Sequence, residues 1–415
     1  MASNLRDRLK RIQEQKLADV PALSKNKNEI EPITLEGWQP CGFKVLKRKI
    51  ILDTLLDTNI KLPPSMAILT PDLAGHSLPD IKDFLFFDLE TTGLSGGAGT
   101  VAFLAAFGRP VEGRKLCLTQ YLLLDYPGED DFLENVISEL TSENSIIVSY
   151  NGKSFDSQII KTRCLMNRKK PPEYRHVDLL YPARRLWKNL IQSCSQSSVE
   201  TNILGIDRTD DIPGALAPEI WFDFLRTGRK ERLLGICDHN SADISGLSSI
   251  LAAIISIAED PFNTEKYRYD IERLAVYWRK YLFWNKKILT EEEMKIMQFD
   301  LLQKKGNELL QYSADLNYPQ ASFIYAQEQI KNGNYEDGRK RLFEITKKNL
   351  PQNTKIRALR ALAIDSERKV KNLKKALEFV EKGLNLVEPD TSVYVEFERR
   401  KERLINKLEK FHKKK

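Results

Sequence analysis

Apolar runs alternate with segments of helical spacing between residues 81 and 262. Three apolar runs, FLFFDLE, TVAFLAAFG and KLCLTQYLLLD, predict adjacent buried strands. Residues 130–140 place apolar side chains every three or four positions, which predicts an amphipathic helix. The next predicted elements are a strand (SIIVSYN) and a helix capped by Ser154 (FDSQIIKTRCLM). They are followed by a strand (HVDLL), a helix (PARRLWKNL) and a long apolar helix over 239–257. This order predicts a mixed α/β domain with helices covering the sheet.

The chain changes character after residue 262, where the strand pattern ends. Residues 323–349 and 362–389 align at an offset of 38, and each predicts a helix, a short turn and a second helix. Such pairs are typical of tetratricopeptide-like repeats, whose usual period is about 34 residues, with an ordinary helical bundle as the alternative. We therefore predict an N-terminal extension with one or two strands (1–80), an α/β domain (81–262) and an all-α helical domain (263–415).

The composition indicates a folded protein, since 41% of the 415 residues are hydrophobic and 30% are charged. The run 250–255 is too short to span a bilayer, and the charged N-terminal residues lack the apolar segment of a secretory signal. Five scattered cysteines without a CxxC pair argue against a disulfide framework and against a zinc site. These features predict a cytoplasmic protein that does not bind membranes.

Charge is unevenly distributed along the chain. Residues 265–415 hold 34 basic and 23 acidic residues, a net charge of +11, whereas the rest of the chain has a net charge of −4. A basic region of this kind is compatible with a polyanionic partner, although solvated Lys-rich helices would give the same composition. Candidate contacts to such a polyanion are Lys161, Arg163, Arg184, Arg185 and the basic C-terminal helices.

Two carboxylates interrupt the first apolar strand, at Asp88 and Glu90. Residues two apart on a strand point to the same face, so both acids share one side of the sheet. Buried carboxylates are costly without a positive partner, and a hard divalent cation such as Mg²⁺ prefers oxygen ligands. The alternative is that the two acids cap turns or pair with arginines at the end of the strand.

Two later segments carry further acids. Asp156 lies at the start of a predicted helix, in YNGKSFD, and Asp243 lies on the long apolar helix, in HNSAD. His239 and Asp243 are four residues apart, so they lie on the same helical face. Each residue alone is more often a satisfied structural group. Asp178, in HVDLL, either joins the acidic site or caps the helix that follows it.

The ordered segments FDLETTGL, YNGKSFD and HNSAD resemble the three exonuclease motifs of the DEDD (DnaQ-like) superfamily, which has a ribonuclease H-like fold. HVDLLYPARRLWK and DIPG (211–214) resemble more narrowly the YprB-like predicted exonucleases of bacteria. The resemblance covers residues 81–260. It implies a ribonuclease H-like mixed sheet with flanking helices, followed here by the helical-repeat-like region.

The resemblance also implies a site and a reaction. Asp88, Glu90, Asp156 and Asp243 would hold two Mg²⁺ or Mn²⁺ ions, with Asp88 shared between them. His239 would be the general base, at the spacing of four residues that the tyrosine subtype of the superfamily uses. Thr92 and Leu94 would contact the terminal nucleotide, and Asn151 would contact a phosphate or sugar.

These observations predict a metal-dependent 3′–5′ exonuclease that acts on single-stranded RNA or DNA. One alternative is a catalytically idle nucleic-acid-binding or scaffold protein that works through its helical region. Another is a structure-specific endonuclease on the same fold, because a fold does not fix a function. The C-terminal helices would bind nucleic acid or a protein partner.

Overall fold

The computed structural model of the chain describes residues 35–74, 76–93, 97, 99–208 and 211–412. The described strands are β1 (Gln39–Gly42), β2 (Val45–Asp53), β3 (Phe84–Thr91), β4 (Ala102–Val111), β5 (Lys115–Leu123), β6 (Ile146–Ser149) and β7 (Arg175–Asp178). The helices up to residue 259 are α1 (Met66–Leu69), α2 (Glu129–Leu140), α3 (Asp156–Met166), α4 (Leu180–Trp187), α5 (Gln196–Val199), α6 (Ala217–Thr227) and α7 (Glu231–Glu259). A π-helical turn, Glu200–Leu204, follows α5 directly.

The later helices are α8 (Ile271–Asn285), α9 (Glu291–Ile296), α10 (Phe299–Asp315), α11 (Pro319–Lys331), α12 (Tyr335–Lys347), α13 (Gln352–Arg368), α14 (Leu373–Leu384) and α15 (Ser392–His412). Among the described residues beyond 262 there is no strand, as predicted. The two predicted helix pairs are α11–α12 and α13–α14. Every strand and helix predicted between residues 81 and 262 is present, but Ser154 does not cap α3, which begins after Phe155 without a side-chain cap.

The described strands form one mixed sheet in the order β1-β2-β5-β4-β3-β6-β7. β2, β5, β4 and β3 pair antiparallel, whereas β3, β6 and β7 pair parallel. Phe86 of β3 lies beside Val148 of β6, so the carboxyl ends of these strands meet at the same edge of the sheet. Ligand sites of open α/β sheets are found at this kind of edge.

Helices cover both faces of the sheet. Gln120 of β5 donates hydrogen bonds to Cys237 and Asn240 of α7, whereas the adjacent Tyr121 donates to Glu139 of α2. Neighbouring strand residues point to opposite faces, so α7 and α2 lie on opposite sides.

One hydrophobic core continues past the predicted boundary at residue 262. Phe84 and Phe86 of β3, Ile244 of α7 and Trp278 of α8 belong to the same cluster of buried side chains. A second cluster begins at Phe323 and joins α11 to α15. In addition, β2 of the predicted N-terminal extension pairs along its whole length with β5. The division into three domains stays a prediction.

Among the described helices, α7 is long and apolar enough to cross a membrane by length and composition. Yet 72% of its most apolar stretch is buried inside the protein, where it packs on the sheet as a core helix. The polar side chains on α7 are therefore held at fixed positions above β3.

Candidate active site

The first two acids lie on the face of β3 that α7 covers. Phe84 and Phe86 on this face pack in the core with Ile244, and Asp88 and Glu90 continue the same row toward the end of the strand. Asn240 of α7 donates a hydrogen bond from Nδ2 to Asp88 Oδ2 at 2.7 Å. The helix thus reaches the acidic end of β3 with polar atoms.

Asp156 reaches the same edge from the loop after β6. It is 5% exposed and is the first residue of α3. Asp178 at the end of β7 shapes this loop, because its carboxylate accepts hydrogen bonds from the backbone N–H groups of Asn151, Lys153 and Leu180. Asp178 therefore organises the loop and accepts from the first N–H of α4, but the cap position of this helix is Leu179, which makes no side-chain cap.

α7 contributes His239 and Asp243, one turn apart. His239 Nε2 lies 3.3 Å from Asp243 Oδ2, and His239 Nδ1 lies 2.8 Å from Asp211 Oδ2. An ionised carboxylate only accepts hydrogen bonds, so Nδ1–H donates to Asp211. Gly214 lies against the other side of the ring, where an added Cβ would be 2.9 Å from Nε2. The segment Asp211–Gly214 thus fixes the imidazole from two sides.

The carboxylates of this cluster repel one another at short range. Burial, and then the charges of Asp243 and Asp156, raise the pKa of Asp88 and of Glu90 well above the usual range. Burial also raises the pKa of Asp156 to about 7. The metal-free site therefore holds negative charge only at a cost in free energy, which a bound cation would offset.

The donor set fits a divalent cation. Glu90, His239 and Asp243 each offer an atom, and these three atoms lie within 4.8 Å of one another. Asp156 belongs to the same cluster, since it raises the pKa of both Asp88 and Glu90, and Asp88 belongs to it because Asp243 and Glu90 raise its own pKa. Carboxylate oxygens are the ligands that Mg²⁺ and Mn²⁺ prefer. The residues predicted as ligands and base are thus brought together by the fold.

The structure does not show a binding role for the three residues predicted to contact substrate. The N–H of Thr92 donates to the carbonyl of Val101, and the Thr92 hydroxyl accepts from the N–H of Val101, both at 2.9 Å. Asn151 is exposed, in a left-handed conformation with φ of 65°. Leu94 lies outside the described residues. A substrate-binding role for these three residues stays a prediction.

Two of the arginines proposed as phosphate contacts are occupied elsewhere. Arg163 is buried in an ion pair with Glu129, at 2.5 Å, so the prediction for Arg163 is wrong. Arg185 donates to the carbonyl of Leu69 at 2.6 Å and lies over the ring of Tyr277. Lys161 is exposed, as a backbone contact requires.

Sequence reasoning did not find Arg208 or the role of Asp211. Arg208 Nη1 lies 2.6 Å from Asp243 Oδ1 and 3.4 Å from Asp211 Oδ2. The DIPG segment was a signal for Asp211, because it matched a family pattern without an evident role. Arg208 lies in a loop with no periodicity, and no pattern in one sequence links it to α7.

Comparisons with known proteins agree with this architecture. Residues 85–255 match the family model of the RNase_H superfamily. An uncharacterized protein of Bacillus subtilis (strain 168), YprB, is 40% identical over 172 residues, which are 41% of this chain and 41% of that protein. The chain thus matches about two fifths of the length of this curated relative. The mixed sheet with flanking helices confirms the predicted ribonuclease H-like fold class. Residues 85–255, the segment that matches the RNase_H superfamily model, include the whole acidic cluster and His239.

Proposed function

We propose that this protein is a metal-dependent nuclease that removes nucleotides from the 3′ end of single-stranded RNA or DNA. The observation that carries the proposal is the convergence of Asp88, Glu90, Asp156, His239 and Asp243 at one edge of the sheet. These side chains come from three distant segments, and a bound cation would offset the repulsion between their carboxylates. The ribonuclease H superfamily domain supports nucleic-acid hydrolysis, whereas the 3′ polarity and the use of two Mg²⁺ or Mn²⁺ ions are parts of the proposal.

The chain contributes orientation and proton transfer. When bound, divalent cations supply an acidified water and relieve the negative charge on the phosphate and leaving oxygen. Asn240 orients Asp88 for this purpose through its hydrogen bond. Because Nδ1–H of His239 is held by Asp211, Nε2 faces Asp243. In this proposal Nε2 accepts a proton as the general base, and the four carboxylates alone hold the ions.

The helical region supports binding of a single strand. Phe283 and Trp284 at the end of α8 are 54% and 52% exposed, and Lys287 lies 4.7 Å and 5.5 Å from the centres of their rings. Exposed aromatic rings beside cations can stack bases without regard to sequence. Together with the net charge of +11 over residues 265–415, this favours nucleic acid as the partner of the helices.

Strands labelled at the 5′ or at the 3′ end test the proposal, with Asp88→Asn as the inactive control. A 5′-labelled strand that shortens stepwise in Mg²⁺ or Mn²⁺, while a 3′ label is released at once as a mononucleotide, supports it. Cuts at internal junctions would favour the endonuclease alternative instead. Tight binding without any products would favour an idle nucleic-acid-binding protein.

A further inference from the structure

Arg208 forms the centre of a charged network beside the proposed metal site. Its Nη2 lies 2.8 Å and 2.7 Å from the two carboxylate oxygens of Glu200, and its Nη1 lies 2.6 Å from Asp243 Oδ1. The same Nη1 lies 3.4 Å from Asp211, which in turn accepts the hydrogen bond of His239. One guanidinium thus connects Asp243 with the carboxylate that orients the proposed base.

The network is buried and closely fitted. The side chain of Glu200 is 1% exposed, and that of Arg208 is 15% exposed. Gly246, one turn after Asp243 on α7, leaves the space for Glu200, because an added Cβ would lie 1.8 Å from Glu200 Oε1. Gln196 donates from Nε2 to Glu200 at 2.9 Å and to the backbone carbonyl of Asp243 at 2.7 Å. The turn after α5 is therefore attached to α7 at the level of Asp243.

The two oxygens of Asp243 have different partners. Oδ1 is held by Arg208, whereas Oδ2 lies 3.3 Å from His239 Nε2, inside the cluster that offers metal ligands. A guanidinium presents its N–H groups in a rigid fork, so it fixes the orientation of a carboxylate as well as its charge. Glu200 balances the charge of Arg208 and keeps it in place.

We infer that Arg208, supported by Glu200, is a positioning residue for the metal site, an inference that rests on the proposed function. It holds Asp243 so that Oδ2 faces the cluster, and through Asp211 it holds His239. The residue does not touch the substrate in this scheme. It acts by fixing one ligand and the base in a single arrangement on α7.

Metal affinity distinguishes positioning from simple charge neutralisation, because the two roles predict opposite signs. A cation beside a metal site repels the ion, so removing only its charge should tighten metal binding. Removing a group that orients a ligand should weaken binding, typically by about 10–100-fold. In a variant that removes the charges of Arg208 and Glu200 together, the electrostatic effects largely cancel, so weaker binding indicates positioning, whereas unchanged or tighter binding indicates charge neutralisation alone.

The experiment is a calorimetric titration of Mn²⁺ into the full-length protein without nucleic acid. Arg208→Gln alone would leave Glu200 buried and unpaired, so the main variant is Glu200→Gln with Arg208→Gln, which removes both charges. Arg208→Lys keeps the positive charge but removes the paired N–H groups of the guanidinium. The matched control is Arg232→Gln, because Arg232 is exposed and lies 3.7 Å from the exposed Glu219. Melting temperatures without metal verify that each variant folds.

We expect the double variant and Arg208→Lys to bind Mn²⁺ about 10–100-fold more weakly than the wild type, with the control unchanged. Equal or tighter binding by the double variant overturns the inference, and so does wild-type affinity in Arg208→Lys. Weaker binding in these variants combined with no hydrolysis by the wild type would support the positioning role while removing the proposed function. A wild-type protein that binds no Mn²⁺ overturns both.

Discussion

The imidazole of His239 is held by Asp211, whose Oδ2 lies 2.8 Å from Nδ1 across 28 residues of sequence. The pair resembles a catalytic base with its orienting acid, because the hydrogen bond at Nδ1 leaves Nε2 available for a proton. The carboxylate comes from a loop and the imidazole from α7, so the pair exists only in the folded protein.

Replacing His239 by Ala should lower the rate by about 10²–10⁴-fold, the usual range for lost acid–base catalysis. His239→Tyr should recover part of this loss, because its phenol can position the attacking water by a hydrogen bond. Steady-state rates and melting temperatures measured on the same three proteins test this. If His239 only packs α7, stability will change and the rate per folded molecule will stay within a few-fold of the wild type.

Asp211→Asn should lower the rate by about 10–100-fold without loss of the fold, because the amide no longer requires a proton at Nδ1. Rates on labelled single strands measure this effect. Asp223→Asn is the matched control, because Asp223 also pairs with cationic side chains, those of the exposed Arg226 and Arg229. A normal rate in Asp211→Asn would show that the hydrogen bond does not contribute to catalysis.

Asp88→Asn and Asp243→Asn should both abolish hydrolysis but shift the metal-free melting temperature in opposite directions. Removing the charge of Asp88 relieves repulsion from three neighbouring acids. Removing that of Asp243 also relieves repulsion, but it weakens the ion pair with Arg208 at 2.6 Å, and we expect this loss to dominate because the guanidinium is largely buried. Each kcal/mol corresponds to about 2–4 °C in a domain of this size, so calorimetry can resolve both shifts. Shifts of the same sign would contradict the electrostatic description of the site.

The metal-free protein should lose stability as the pH rises. Burial raises the pKa of Asp156 from the ordinary 3.8 to about 7, so the folded state binds its proton more tightly than the unfolded chain does. The stabilisation is complete below about pH 4 and is lost as the pH rises through 7. Asp156→Asn should therefore flatten the decline in melting temperature between pH 5.5 and 8 in a chelator. Asp300→Asn, at an exposed position on α10, is the control, and equal slopes in both variants would argue against the assignment.

Neutralising four exposed lysines around α14, Lys371, Lys374, Lys375 and Lys382, should reduce the salt dependence of single-strand binding. Each lost phosphate contact lowers the slope of log K against log salt by about 0.7. Fluorescence titrations at several salt concentrations measure it. Replacing Lys61, Lys82 and Lys115, which are exposed on the acidic part of the chain, should have a smaller effect. An unchanged slope in the first set would indicate a protein partner for these helices.

The elements of the sheet could be predicted because buried strands need apolar runs, and FLFFDLE and SIIVSYN are such runs. The acids of the site could be predicted because carboxylates are costly within such segments. The role of Arg208 could not be predicted, because tertiary packing brings it to Glu200, Asp211 and Asp243. These residues show no regular spacing in the sequence that would indicate the contacts. Composition changes at residue 263, yet Trp278 belongs to the same buried cluster as Phe84, because a core is selected by shape and not by composition.

The buried cluster that contains residues of both β3 and α8 couples the helices to the ribonuclease H-like fold thermodynamically. Trp278 and Phe84 are both fully buried in it, so unfolding of the sheet removes part of the core in which α8 is packed. A molecule that binds only the folded form of α8 would therefore also protect the acidic site against unfolding. At a concentration of 100 times its dissociation constant, such a molecule adds about 2.7 kcal/mol of stability. The length of time for which the site stays folded would then depend on what occupies the helices.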